Sequence, residues 1–194
     1  MRGCRLYNKA EVGAGVGTIG TRYAFGRSAK KERMCRMKKW EIYEWSVLLF
    51  FVAVPLSGIL VELLLIGTSE TFVAIAFKWF LFSGVGLRLG GAGIKQIMQP
   101  QFTAKEIFNI EGDGATPVVR ELGFANVCFA ALAVISFFVS SFRIPAAITG
   151  GLYFGLAGLL HVFKPKDSGK EIFAMVSDFY IFFVLLILLI LMLS

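Results

Sequence analysis

Six ionisable side chains fall inside long apolar stretches of this sequence: Glu62, Lys78, Arg88, Glu121, His161 and Asp178, with the amide of Asn126 as a polar neighbour. A charge held at bilayer depth costs about 3 kcal/mol even on a lenient insertion scale, so each must pair, reach the interface or serve a function. Glu62 lies about one turn from the end of its stretch, and Lys78 is long enough to reach headgroup level. His161, the one histidine, sits near the end of another stretch beside Lys164. Arg88 and Glu121 are embedded more firmly, and their opposite signs predict a direct pair. Glu121 shares a helical face with Ala125 and Cys128 while Asn126 points away, so a site using both must lie between two helices. Asp178, about two turns into the last stretch, is within reach of the same half. The chemistry open to Arg88, Glu121, Asn126, Asp178 and His161 is to hold a small polar ligand or a proton, or to fix helix register as buried pairs do.

The elements that position these groups are five apolar runs, at 46–66, 71–91, 121–142, 144–163 and 172–193. About 20 helical residues cross a typical hydrocarbon core. In lipid the backbone must satisfy its own hydrogen bonds, which leaves helices or closed barrels. The runs are continuous, without the two-residue alternation of barrel strands, so they read as helices. Composition agrees: 57% of residues are hydrophobic, 17% are charged, and the mean hydropathy is +0.73. The expected fold is all-α, an integral membrane bundle of five transmembrane helices with a four-helix core plus one additional N-terminal span. Ala147, Gly151 and Gly155 carry small-xxx-small spacing beside a second stripe through Gly150, Phe154 and Gly158, which suits a central helix.

Residues 1–36 differ from the rest. They are basic and glycine-rich with little apolar periodicity, and read as a disordered tail or an upstream extension of the reading frame whose start is Met34 or Met37, with a single membrane domain over 37–194. Gly15, Gly17 and Gly20 form a GxGxxG without the preceding strand and following helix that dinucleotide binding requires. Cys4, Cys35 and Cys128 form neither a disulfide framework nor a metal motif. Residues 95–119 hold an interfacial helix of about two turns, with Thr103 as its N-cap and Glu106 at N3.

The stretches Arg88-Leu89-Gly90-Gly91-Ala92-Gly93-Ile94-Lys95-Gln96 and Arg120-Glu121-Leu122-Gly123-Phe124-Ala125-Asn126, with the link between them, resemble a family of small multi-pass membrane proteins of unknown function. The resemblance covers roughly residues 79–189. More distantly the chain is similar to DoxX-like membrane proteins, with Arg88 and Glu121 on their spaced arginine and glutamate; that resemblance implies an association with redox chemistry or a quinone. The link after His161 is shorter than the resemblance implies.

Two functional classes follow: a protein that binds or moves a small polar or quinone-like ligand, and a structural or accessory membrane subunit. An enzyme ranks third, since no nucleophile and base pair, metal cluster or phosphate loop is visible. Membrane lipid is the first expected partner, a quinone or other small molecule the second, and a further copy of the chain, as a homo-oligomer, the third. Nothing in the sequence points to a cofactor, and the basic tail lacks the interleaved aromatics of a nucleic-acid surface.

Of the 20 Lys and Arg residues, eleven precede the first run. This asymmetry puts the N-terminus in the cytoplasm, and an odd number of spans puts Ser194 outside the cell membrane. Reporter fusions at Thr68, Gly112, Ser141, Ser168 and Ser194 are expected to alternate sides, starting outside; finding Ser168 and Ser194 on one side would remove the fifth span.

Overall fold

A computed structural model describes residues 44–67, 69–106, 113–163 and 169–194, and among them every regular element is helical. Contacts divide the chain into units at Met1–Glu44 and Trp45–Ser194, and the account below concerns the second. The 1–36 tail, its GxGxxG and the start sites Met34 and Met37 lie outside the described residues. Among the described residues, five helices are long and apolar enough to cross a membrane. We label the helices α1 (Glu44–Ile66), α2 (Phe72–Met98), α3 (Pro100–Glu106), α4 (Thr116–Phe138), α5 (Arg143–Phe163) and α6 (Gly169–Leu193).

The helix ends follow local chemistry. α1 stops at Gly67, whose φ of 63° is left-handed and accessible without strain only to a residue lacking Cβ. The Thr71 hydroxyl oxygen accepts from the Ala74 amide and caps α2. Gln99 leaves helical geometry, and Pro100 then opens α3 with its φ already set. α3 therefore starts three residues before the expected N-cap at Thr103, which is buried within it. α2 also runs past the expected boundary at 91, and α4 begins before 121. Hydropathy marks the edge of the hydrocarbon, whereas helical hydrogen bonding continues until a capping residue stops it, so Lys95, Gln96, Arg120 and Glu121 extend the helices toward the interface.

Three stretches take wide turns with hydrogen bonds five residues apart: Leu49–Ala53, Glu62–Ile66 and Leu81–Leu87. Pro55 has no N–H to give the carbonyl four residues back, which accounts for the first. The first and third wide stretches are tied together, for the Ser83 hydroxyl donates to the Phe50 carbonyl.

α2 is the central helix: about two thirds of its apolar window is buried, against a third or less in the other spans. The small-residue stripes of α5 do meet neighbours on two sides, at Val85 and at Phe179 and Phe182, but the core is organised around the second span and not the fourth. α1 joins this core through Val47, Phe51 and Ile59, with the Phe51 ring edge-on to Phe154 at 5.6 Å. Lipid chains are as apolar as leucine, so close packing has to supply the association between helices. Where α2 and α4 cross, a Cβ on Gly93 would lie 2.7 Å from the Gly123 carbonyl oxygen, and one on Gly123 2.9 Å from that of Gly93. Gly90 against Ala130 and Gly86 against Val134 continue the antiparallel seam.

Gly93→Ala should therefore destabilise the purified protein by about 1–3 kcal/mol, since a backbone oxygen must move. Gly91→Ala, where nothing lies within 4 Å of the added carbon, should be neutral or stabilising by up to about 1 kcal/mol. Thermal unfolding in one detergent compares the two, and equal effects would refute the seam.

Candidate functional site

Polar groups gather at two levels. The first lies where the turn between α1 and α2 meets the start of α5. Gly58 lets the Trp79 indole lie flat against α1, since any Cβ there would overlap the ring. Trp79 Nε1 then donates to Glu62 Oε2 at 2.7 Å, while Lys78 Nζ bonds the other oxygen of the same carboxylate. Lys78 also sits 3.6 Å from Glu70, and Arg143 Nη2 donates to both Glu70 oxygens at 2.9 and 3.3 Å. The chain Glu62–Lys78–Glu70–Arg143 balances two negative and two positive charges. Glu62 and Arg143 are only 4% and 6% exposed, so each meets its counter-charge within the protein. Glu62, read from its place near the end of a span, and Lys78, read as able to reach headgroup level, are instead paired with each other: the register of the α1–α2 hairpin sets them opposite.

The second level lies in the half that holds the α2, α3 and α4 junction. Arg88 follows the wide stretch Leu81–Leu87 on α2 and acts electrostatically on Asp178 of α6 and Tyr153 of α5. Wide helical turns recur beside functional sites because they redirect the side chains that follow. Asp178 Oδ2 is 3.9 Å from His161 Nε2, at the limit of an ion pair. Asn126 of α4 is 1% exposed; its Nδ2 donates to Gln96 Oε1 at 2.8 Å, it adjoins the Tyr153 hydroxyl, and its Oδ1 is buried with no hydrogen-bond partner. Four helices thus bring Arg88, Asn126, Tyr153, His161 and Asp178 toward one region.

Glu121 is not among them. It is exposed, and no described ion pair joins it to Arg88. The seam explains the failure of the expected pair: with Gly93 held against Gly123, the α4 residue level with Arg88 lies about seven positions beyond Glu121, or ~10 Å along the axis. Sequence reasoning missed Tyr153 and Gln96. Tyr153 had left a signal, being a tyrosine in mid-span and away from the interfacial belts where tyrosine usually sits.

The Arg143 guanidinium bound to Glu70 holds that carboxyl below its usual value of 4.5, against an opposing effect of burial, with Lys78 helping. A carboxylate whose folded pKa is depressed stabilises the fold above its unfolded pKa and loses that contribution as pH falls through the folded value. Acidification from pH 5 toward 3 should thus lower the melting temperature of the wild type, and Glu70→Gln should flatten that part of the profile. An unchanged profile would remove Glu70 from the stabilising set.

No curated protein and no solved structure matches the chain. A family profile matches residues 45–193, which takes in all five spans and both polar levels. The protein belongs to the family described as a family of unknown function, DUF6790.

Proposed function

We propose that this is a multi-pass membrane protein that holds a small polar or quinone-like molecule among Arg88, Asn126, Tyr153, His161 and Asp178, with the site in the cytoplasmic half if the Lys and Arg asymmetry sets the orientation. The observation that carries the reading is the buried Asn126 Oδ1: a carbonyl oxygen without a partner, beside a tyrosine, in a region where two further helices contribute opposite charges. An unmet acceptor in a low-dielectric interior is costly, and a ligand donor or bound water relieves it. Arg88 supplies donors and Asp178 oxygen acceptors, so the site can present both to a polar ligand. The accessory-subunit reading draws on Glu121, whose carboxylate faces outward where a partner chain or headgroup could meet it.

Mass spectrometry of small molecules that copurify with the protein tests this. Wild type should retain one species that Asn126→Leu and Asp178→Asn lose by about tenfold or more, with melting temperatures kept within a few degrees. The same small-molecule profile in all three proteins would favour the accessory role.

A further inference from the structure

α5 and α6 also enclose an apolar groove of about 150 Å³ lined by Ala147, Gly151 and Leu152 on one side and Phe182, Leu185 and Leu189 on the other. Three features set it apart from ordinary lipid-facing surface. A Cβ on Gly151 would meet nothing within 4 Å, although the residue is buried, so a real gap lies over it. The gap is short: the Phe182 ring lies against Gly155, 2.9 Å from a would-be Cβ, and fills the small-residue stripe there. A crossing helix from a second copy would need that stripe open over its length, whereas one hydrocarbon chain needs only a slot. The groove is also aligned with the polar site, since Asp178, Phe182, Leu185 and Leu189 follow one another at i, i+4, i+7 and i+11 on a single face of α6. From Asp178 to Leu189 that face spans ~16 Å.

We propose that the ligand is a single-chain amphiphile, with a hydroxyl-bearing polar head at Asp178 and its hydrocarbon tail in the α5–α6 groove. This rests on the site reading above and adds the tail. The Asp178 carboxyl group can hydrogen-bond a hydroxyl head, and it stands on the α6 face that runs into the groove. Phe182 stands between the two parts and must turn aside, or be skirted, as the chain passes.

A monoacylglycerol carrying a photoreactive diazirine in its chain, added to the full-length protein in nanodiscs, tests the proposal. Crosslinks should concentrate on 147–152 and 182–189 and fall about tenfold in Gly151→Leu, whose Cβ meets nothing within 4 Å and whose longer side chain occupies the gap. They should fall similarly in Asp178→Asn, where the head contact is weakened, and stay unchanged in Leu64→Trp on the exposed face of α1. Gly151→Ala, which fills less of the slot, should fall between wild type and Gly151→Leu and guards against misfolding of the larger variant. Crosslinks scattered over all exposed apolar faces and indifferent to Gly151→Leu would mean annular lipid only and overturn the proposal. So would groove labelling that ignores Asp178→Asn, or a Gly151→Leu protein that changes its oligomeric mass. If Asp178→Asn removes a copurifying molecule that Gly151→Leu retains, the polar site stands and the tail does not.

Discussion

Gly93 and Gly123 set the register on which the other placements depend. Their backbones approach so closely that neither position has room for a methyl group, and a contact of that kind cannot slide by a residue without forcing a side chain into a carbonyl. The seam that continues through Gly90 and Gly86 fixes which residue of α4 is level with which residue of α2. Arg88 is thereby carried past Glu121 toward α5 and α6, and Gln96 is brought to Asn126. In water such a register could rest on apolar burial; in lipid it has to rest on shape.

Charge is handled differently at the two levels, and the difference separates structure from candidate function. At the Glu70 level, each carboxylate has a cation and Glu62 also has the Trp79 indole, so no acceptor there waits for a ligand. This set fixes the hairpin of α1 and α2 against α5, and the polar atom it leaves buried without a hydrogen-bond partner is a donor, Arg143 Nε, and not a carboxylate oxygen. At the Arg88 level the groups come from four helices, the His161 and Asp178 contact is long, and a buried amide oxygen has no partner. Incomplete satisfaction in a buried polar cluster is costly, and it persists where function requires it or where a bound molecule completes it.

The wide turn at Leu81–Leu87 links the two levels. It lies in the most buried helix, between Lys78 and Arg88. A regular helix over the same residues would aim Arg88 along a different face. Its tie to the wide stretch of α1 through Ser83 and Phe50 shows that the two distortions are packed together.

By itself the sequence determined what lipid imposes: five apolar runs of spanning length, all helical, with charged residues confined to positions that need an explanation. Those features are local or additive, since hydrocarbon thickness and the requirement for internal hydrogen bonds act on each segment separately. Membership of a family whose role is open was also within reach of motif. Tertiary structure alone decided which charges meet. Arg88 and Glu121 matched in sign and rough depth, yet a glycine contact elsewhere on their helices separates them by about two turns. Glu62 read as an end-of-span charge and Lys78 as a side chain reaching headgroup level, and the hairpin sets them together. Pairing across helices depends on register and rotation, which here come from close backbone contacts, a proline and wide turns whose consequences appear several residues away, where no window of sequence records them.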